Sequence, residues 1–299
     1  MNENRYYRAF GLTIESCFPI SQVPEIPPCK PDVRIITADL SEEKPDRKKL
    51  LLDGGNLVYT TSKTVFRVTN GNLIEADVVT GETDSYIAVY LMGSCMGSIL
   101  IQRGFMLLHG SCVTNGKQAI LITGNSGAGK STLAAEFLRH GWKLISDDVT
   151  TVTDVDALPK VHSSYPSQKL WKDALERYTH HDDQIHSLFT NGNREKFGVD
   201  VSSYFHDGWI PLSMVVRLSC GDNICGVWPI DGIAKTDQLM KNTYRINYIQ
   251  HENRPLHFQR CVTLSTKVPM ALAIREKGKD CAPLMYEKIT QFLEEHYHD

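Results

Sequence analysis

The stretch LITGNSGAGKSTL, residues 121–133, constrains the fold of this chain more than any other. It contains the pattern G-x-x-x-x-G-K-S, which is typical of a phosphate-holding loop between a strand and a helix. We therefore predict a P-loop that binds ATP or another nucleoside triphosphate, with Lys130 directed at the β- and γ-phosphates and the Ser131 hydroxyl at Mg²⁺. The residues expected to contact the nucleotide are Gly124, Asn125, Ser126, Gly127, Ala128, Gly129, Lys130, Ser131 and Thr132.

Composition narrows the class of partner. The chain has 299 residues, 41% of them hydrophobic, and a formal net charge of −3, which gives no general attraction to nucleic acid or to a membrane surface. Its eight cysteines include no C-x-x-C pair, which favours a reducing cytosol over a disulfide framework or a zinc site. The polar start lacks the apolar core of a secretory signal. We expect a cytoplasmic protein without nucleic-acid or membrane partners and leave a homo-oligomer open.

The pattern changes along the chain and indicates two regions. Residues 1–84 are rich in strand and turn signals, including a hairpin turn at Asn70-Gly71. The uncharged stretch 86–101 is shorter than the ~20 residues of a spanning helix, so a buried helix is the better interpretation. We predict an α/β protein with a small β-rich N-terminal module at 1–84 and a P-loop domain at 85–299.

A histidine is predicted near the loop. The runs MLLHGSCV and QAILIT read as two strands joined by a hairpin at Asn115-Gly116. A two-residue turn would place His109 opposite Ile122, at the phosphate end of the neighbouring strand. A lone histidine is more often structural than catalytic, and this position makes the two interpretations equally reasonable.

Two adjacent aspartates form the second candidate group. Asp147 and Asp148 follow the strand KLIS, which comes after a short helix that Gly141 ends. If that strand pairs in parallel with the strand before the loop, both deliver their carboxyl ends to one edge. One carboxylate could then hold Mg²⁺ and the other accept a proton. The alternative is a solvated acidic turn.

These residues resemble a known family. The segment LLHGSCV…GKQAILITGNSGAGKSTLAAEFLRHGWKLISDDV is similar to the catalytic domain of HPr kinase/phosphorylase in its Leu-His-Gly strand, its loop, its short helix and its double Asp. The resemblance implies an HPr-kinase-type P-loop domain with serine kinase activity on a protein or peptide. It implies Asp147 as the base assisted by His109, Lys130 as a catalytic residue, and Ser131 and Asp148 nearer the metal. Whether the chain also runs the family's reverse reaction with phosphate stays open.

Other segments point to the acceptor. The stretch NGNREKFGVDV stands where HPr kinases carry a glycine-rich RGLGIINV-like signature, which argues against HPr as the substrate. The segments YYRAFGLTIES, YPSQKLWKDALERY and NTYR instead resemble HPr-kinase-related proteins of lasso-peptide gene clusters. This resemblance implies that the chain phosphorylates the C-terminal serine of a ribosomal precursor peptide.

Four basic residues are candidate phosphate or substrate contacts. Arg194 and Lys196 lie in a predicted loop around 191–198, where the alternative is a solvated basic loop. Lys169 could contact the phosphoryl group or merely flank a predicted helix near 170–178. Arg245 could hold a peptide carboxylate or be an ordinary surface arginine.

Two other functions remain open at this point. A small-molecule kinase or nucleoside triphosphate hydrolase would use the same loop with a different acceptor. A nucleotide-sensing regulator would bind ATP through the loop without transferring phosphate, and would use the N-terminal module to recruit a partner.

Overall fold

A seven-stranded sheet forms the N-terminal part. The computed structural model describes residues 4–43, 50–53, 56–61, 64–78, 83–178, 184–191 and 194–296. The strands are β1 (Arg5–Ala9), β2 (Leu12–Ser16), β3 (Val33–Thr37), β4 (Leu50–Asp53), β5 (Asn56–Thr60), β6 (Thr64–Thr69) and β7 (Leu73–Val78), in the order β1-β2-β3-β7-β6-β5-β4. The turn expected at Asn70-Gly71 is present, and both residues have positive φ, as a tight hairpin requires.

One helical segment covers this sheet. It consists of α1 (Asp84–Tyr90), a π-helical turn (Leu91–Cys95) and α2 (Met96–Gln102). By length and composition alone these 19 residues could cross a membrane, but 61% of the apolar window is buried inside the protein. Met92, Met96 and Ile99 pack with Phe66 and Ile74 of the sheet in one core. The expected buried helix is therefore found, and the division of the chain at residue 84 stays a prediction.

The second part of the chain alternates strands and helices. Its elements are β8 (Met106–Thr114), β9 (Ala119–Thr123), α3 (Lys130–Arg139), β10 (Lys143–Ser146), β11 (Val149–Thr153), β12 (Lys160–His162), β13 (Ser167–Trp171), α4 (Lys172–Tyr178), β14 (Ile185–Asn191), β15 (Arg194–Asp200), β16 (Trp209–Gly221), β17 (Gly226–Ile230), α5 (Ile233–Lys241), α6 (Arg254–Lys267), β18 (Met270–Glu276) and α7 (Ala282–His296). Eight strands form one sheet in the order β10-β8-β11-β12-β16-β18-β17, with β9 between β8 and β16. The predicted α/β fold with a β-rich N-terminal region is confirmed.

A three-stranded sheet, β13-β15-β14, lies beside the main sheet. It corrects the predicted loop around 191–198, because residues 194–200 form a strand that pairs with both neighbours. The predicted helix near 170–178 begins only at Lys172, and Leu170 and Trp171 belong to the preceding strand. Alternating apolar residues at 197 and 199 were an available signal for this strand.

Strand β8 positions the candidate site, because its neighbours on both flanks are interrupted at the same level. On one flank, β9 pairs with β8 as far as Gly110 and then leaves it, and the segment 242–244 takes its place. On the other flank, β10 and β11 follow one another antiparallel to β8. Asp147 and Asp148 lie in the break between them, opposite Gly110 and Ser111, and the register with β8 is the same before and after the break.

Two expectations about register are wrong. The hairpin connection has four residues, 115–118, so Ser111 and not His109 pairs with Ile122. The Asn115 side chain stabilises the longer turn by accepting from the backbone N–H groups of Lys117 and Gln118. In addition, β10 is not hydrogen bonded to β9, since β8 lies between them. The two strands nevertheless run in the same direction, so their carboxyl ends still reach one edge.

Candidate active site

The loop from Gly124 to Gly129 has the strand and the helix that its pattern requires. Gly124 has a φ of 139°, and a Cβ there would lie 2.2 Å from the Leu218 carbonyl oxygen, so only glycine fits. Gly129 adopts the left-handed conformation directly before α3, with a φ of 102°. The first N–H groups of α3 have no acceptor within the helix and carry its positive dipole end. The loop therefore offers a site for an anion.

Lys130 folds over the loop. Its ammonium group donates to the carbonyl oxygens of Gly124, at 2.9 Å, and Asn125, at 3.2 Å. Burial lowers the pKa of Lys130, and the carboxylates of Asp148 and Asp147 oppose that shift. The lysine thus lies in the electrostatic field of both aspartates.

Asp147 is buried and joins β8 to the loop. Its carboxylate accepts hydrogen bonds from the hydroxyls of Ser111, at 2.5 Å, and Ser131, at 3.1 Å. The other oxygen accepts from the backbone N–H of Lys169, at 2.8 Å. The side chain of Asp147 is therefore fixed beside the hydroxyl at the start of α3.

Asp148 has a left-handed backbone, with a φ of 69°, and its side chain has a different set of partners. The Lys169 ammonium lies 2.6 Å from one carboxylate oxygen, and that of Lys196 lies 4.0 Å from the other. Burial opposes ionisation, but the positive charges of Lys169 and Lys196 together hold the pKa of Asp148 well below its usual range. Asp148 is therefore an anion at neutral pH.

His109 contacts the backbone at Asp148. Its Nδ1 is 2.9 Å from the backbone carbonyl oxygen of Asp148. Because a carbonyl oxygen only accepts, Nδ1 carries the proton and Nε2 has a free lone pair in the neutral ring. Burial lowers the pKa of His109, although the Asp148 carboxylate opposes the shift. His109 is therefore neutral near pH 7 and can accept a proton at Nε2.

The contacts of the two aspartates differ from the grouping that the resemblance implies. The resemblance grouped His109 with Asp147, and Ser131 with Asp148. In the structure Asp147 accepts from Ser131, and His109 contacts the backbone carbonyl oxygen of Asp148. The Asp148 carboxylate pairs with Lys169, and the roles of the two aspartates stay a prediction.

Lys130, Lys169 and Lys196 reach the site. Lys169 is buried, and the Lys196 ammonium lies over the Trp171 ring, 5.5 Å from its centroid. Arg245 lies away from the aspartates, with its guanidinium over the rings of Tyr244 and Tyr248. Arg194 begins β15, paired with Asn191, and its side chain is outside the described residues.

The sequence did not single out three residues that shape the site. Ser111 contacts Asp147, and Gln168 donates to the Ser131 carbonyl oxygen at 2.9 Å. The Asn242 side chain accepts from the Gly124 N–H at 3.1 Å, and its backbone oxygen accepts from the His109 N–H at 2.7 Å. The alternation of β8 could have identified Ser111, which shares a face of the strand with His109. Asn242 is 118 residues away from Gly124 and gives no local signal.

The donor atoms around Ser131 suit Mg²⁺. Asp147 and Ser131 supply a carboxylate and a hydroxyl oxygen, the hard ligands that this ion prefers. The described part of the chain contains no cluster of three or more His, Cys, Asp or Glu side chains able to hold a metal. That is compatible with Mg²⁺, which commonly uses one or two protein oxygens together with phosphate and water.

Comparison with known proteins gives one family. Residues 103–175 match the family model of the HPr Serine kinase C-terminal domain. The chain is 45% identical over 49 residues to an HPr kinase/phosphorylase of Clostridium beijerinckii, covering 16% of each chain. It is 29% identical over 107 residues to an HPr kinase/phosphorylase of Clostridium perfringens, covering 36% of this chain and 33% of the relative. The matches thus span no more than about a third of the length of these curated relatives.

A solved structure also overlaps with the chain. The HPr(Ser) kinase/phosphatase from Coxiella burnetii has a TM-score of 0.35 and 13% identity, with 63% of this chain and 91% of that chain covered. This TM-score is too low to add to the argument. The sequence matches instead coincide with β8, the loop, α3 and the double aspartate, which are the elements that build the site. Over this segment the chain is similar to the HPr kinase/phosphorylase family.

Proposed function

We propose that this chain is an ATP- and Mg²⁺-dependent kinase that phosphorylates a serine hydroxyl of a peptide or protein. The strongest support is that the two aspartates at one gap in the sheet have different partners. Asp147 is bonded to Ser131, whereas Asp148 lies beside a neutral histidine with a free Nε2. Asp147 can thus help the loop to hold phosphate, and Asp148 can take a proton from an attacking hydroxyl.

The loop and Asp147 form the phosphate side. Backbone N–H groups of the loop would hold the phosphates, and Lys130 would exchange its carbonyl contacts for the β- and γ-phosphates. Ser131 and Asp147 would hold Mg²⁺, which neutralises charge on the phosphates when bound. In this assignment the buried carboxylate of Asp147 stays fixed by Ser111 and the Lys169 backbone during the reaction.

Asp148 and His109 form the acceptor side. The serine oxygen attacks the γ-phosphorus, the bond from that phosphorus to the β,γ-bridging oxygen breaks, and the hydroxyl proton passes to Asp148. Lys169 makes Asp148 a weak base, but the transition state of phosphoryl transfer is loose and demands little basicity. The main contribution of Asp148 is then to orient the hydroxyl, while Nε2 of His109 offers a second acceptor for the proton.

Lys169 and Lys196 supply positive charge at this point. Their ammonium groups lie 2.6 Å and 4.0 Å from the Asp148 carboxylate oxygens. Charge held in place in a partly buried site stabilises the charge that spreads over the transferred phosphoryl group. We assign both lysines to that task, and Lys169 also keeps Asp148 ionised.

For the acceptor we propose the C-terminal serine of a lasso-peptide precursor. The three sequence segments named above support this identity, and one of them contains Arg245. This guanidinium donates to the Ser94 hydroxyl at 3.2 Å and has no carboxylate partner among the described residues. The neighbouring Tyr244 ring lies 6.1 Å from the His109 ring, so a carboxylate at Arg245 would sit near the acceptor side.

The test is transfer of label from [γ-³²P]ATP in the presence of Mg²⁺. The acceptors are precursor peptides ending in serine, the same peptides ending in alanine, and the same peptides ending in serine amide. We expect label only on the serine acid, and an increase in KM for that peptide in Arg245→Ala without a matching increase for ATP. The Arg34→Ala variant is a control, because Arg34 is also exposed and lies in β3 of the N-terminal sheet.

Four results would contradict the proposal in different ways. Label that appears only in water indicates a hydrolase, and label on a small metabolite indicates a small-molecule kinase. Tight binding of ATP without turnover on any acceptor indicates a regulator. Equal transfer to the serine acid and the serine amide would remove Arg245 from acceptor recognition while leaving the kinase assignment intact.

A further inference from the structure

A tyrosine patch lies where the N-terminal sheet meets the acceptor side. It consists of Tyr59 on β5 and of Tyr86 and Tyr90 on α1, and all three side chains are partly exposed. The rings of Tyr59 and Tyr90 lie 5.9 Å apart, and those of Tyr86 and Tyr90 lie 4.8 Å apart. All three pack on one side against the core of the N-terminal sheet, which holds them in place. The patch therefore offers aromatic rings and hydroxyl groups on a firm support.

Arg245 adjoins the tyrosine patch. Its guanidinium donates to the Ser94 hydroxyl, and Ser94 lies one turn after Tyr90 on the same helical segment. Burial raises the pKa of Tyr59 and of Tyr90, and the positive charge of Arg245 opposes both shifts, so both hydroxyls lie near it. A carboxylate held by Arg245 would therefore have the tyrosine patch beside it.

Tyr244 connects Arg245 to the acceptor side. The Tyr244 ring lies 6.1 Å from the His109 ring, and its centroid lies 5.7 Å from the Arg245 guanidinium carbon. His109 in turn contacts the backbone at Asp148. A serine whose hydroxyl reaches Asp148 and whose carboxylate reaches Arg245 would therefore lie across the Tyr244 ring.

The three-stranded sheet brings α1 close to the same place. Lys196 of β15 lies 4.0 Å from Asp148, β15 pairs with β14, and β14 packs against α1. The phosphates of the nucleotide occupy the glycine loop, so the acceptor peptide must leave in another direction. If its last residue is fixed at Asp148 and Arg245, the residue before it meets α1 and the tyrosine patch.

We infer that the tyrosine patch binds the side chain that precedes the C-terminal serine of the acceptor peptide, and that it selects an aromatic side chain there. Aromatic rings pack edge to face or offset at separations like those within the patch. The inference rests on the proposed function, because the serine held at Asp148 and Arg245 sets the direction of the peptide. It gives the N-terminal sheet a role in choosing the acceptor.

The experiment compares two peptides that differ only before the final serine, one ending in Phe-Ser and one in Gly-Ser. With [γ-³²P]ATP we expect the wild type to show a KM about tenfold lower for the Phe-Ser peptide, with a similar kcat. In Tyr59→Leu and Tyr90→Leu, which keep an apolar side chain but lose the ring, this preference should fall to about threefold or less. The KM for ATP and the KM for the Gly-Ser peptide should stay unchanged.

Tyr6→Leu is the matched control. Tyr6 is also a partly exposed tyrosine of the N-terminal sheet, but it lies on β1, at the edge far from β5. This variant should keep the preference of the wild type. A melting temperature close to that of the wild type shows that each variant is folded.

A second comparison needs no variant of the protein. Cyclohexylalanine has nearly the size of phenylalanine but no aromatic ring, so a peptide with this residue before the serine should have a KM at least about twofold higher. Equal KM values for these two peptides, or a preference that the folded Tyr59 and Tyr90 variants retain, would overturn the inference and leave the kinase assignment intact. If the wild type labels no peptide at all, the proposed function and the inference fail together.

Discussion

The glycine loop and the two aspartates lie on opposite flanks of strand β8, and the two parts of the site consist of different chemical groups. On the loop flank, glycines with positive φ and the first N–H groups of α3 form the site, so the backbone itself is the binding group. On the aspartate flank, the site consists of side chains, and a single left-handed residue, Asp148, sets their directions. The first flank therefore depends on a local pattern, and the second on contacts between distant parts of the chain.

This difference matters for what each aspartate does. Asp147 is tied to the loop flank through Ser131, whereas Asp148 is tied to β13 and β15 through Lys169 and Lys196. Asp147 and Asp148 are thus adjacent in sequence but belong to different halves of the site. The predictions below separate these halves.

The largest effect is expected from Asp148→Asn. Asparagine tolerates the left-handed backbone, so the local backbone is retained. We expect the transfer rate to fall by about 10²–10⁴-fold because the group that orients and deprotonates the hydroxyl is lost. Binding of MgATP, measured by calorimetry, should stay within about threefold.

Asp147→Asn is the matched variant for this comparison. It should reduce the gain in ATP affinity that Mg²⁺ provides, because Asp147 lies beside Ser131. The measurement is the Kd of ATP at increasing Mg²⁺ concentration. If Asp147→Asn kept that dependence and Asp148→Asn lost it, the order implied by the family resemblance would be right.

An intermediate effect is expected from Lys169→Met. The Lys169 side chain is 9% exposed and its partner Asp148 is 25% exposed, so the substitution leaves a mostly buried carboxylate without its main partner. We expect the free energy of unfolding to fall by about 2–3 kcal/mol, measured by urea denaturation. The double variant with Asp148→Asn should recover part of that loss.

Lys172→Met provides the control, because its ion pair with Glu195 is exposed on both sides, at 67% and 45%. Its cost should stay below about 1 kcal/mol. Equal losses in the two lysine variants would mean that burial of the Asp148 pair contributes nothing to stability.

The smallest effect concerns pH. The folded pKa of His109 lies below the ordinary value of about 6.5, so between these values the unfolded chain binds a proton that the folded chain does not. The free energy of unfolding should therefore fall as the pH drops through about 6.5, and level off below the folded pKa. In His109→Gln this part of the pH dependence should disappear.

The difference between wild type and variant is the quantity to measure, because burial also lowers the pKa of His162 and His257. These two histidines contribute the same slope in both proteins. An unchanged slope in His109→Gln would show that the folded and unfolded forms bind the proton of His109 equally.

The turn, strand and helix of the loop flank could be predicted from the sequence. The pattern from Gly124 to Ser131 specifies a turn, and the apolar run before it and the helix after it are local features. The position of the two aspartates at the loop's edge of the sheet also followed, since β9 and β10 run in the same direction, whereas the predicted register of His109 was wrong. The family resemblance, and not the pattern, supplied the expected roles.

The aspartate flank was not predictable in detail. No local pattern signals that β10 and β11 are two halves of one interrupted path along β8, and this interruption decides where each carboxylate points. The segment of Lys196 was predicted as a loop because its basic residues conceal the alternation of a strand. Contacts of Asn242 depend on how α5 packs on the sheet, which a single sequence does not encode locally.

Asn242 contacts both the glycine loop and the strand that carries His109. It fixes the start of the glycine turn through its side chain and the imidazole strand through its backbone, while its own amide N–H is held by the Gln238 carbonyl oxygen. Arg245 follows three residues later, so the proposed grip on the acceptor is built into the same short stretch. The proposed sites of the phosphate donor and the phosphate acceptor are therefore both positioned by residues 242–245, and a shift of α5 would move both together.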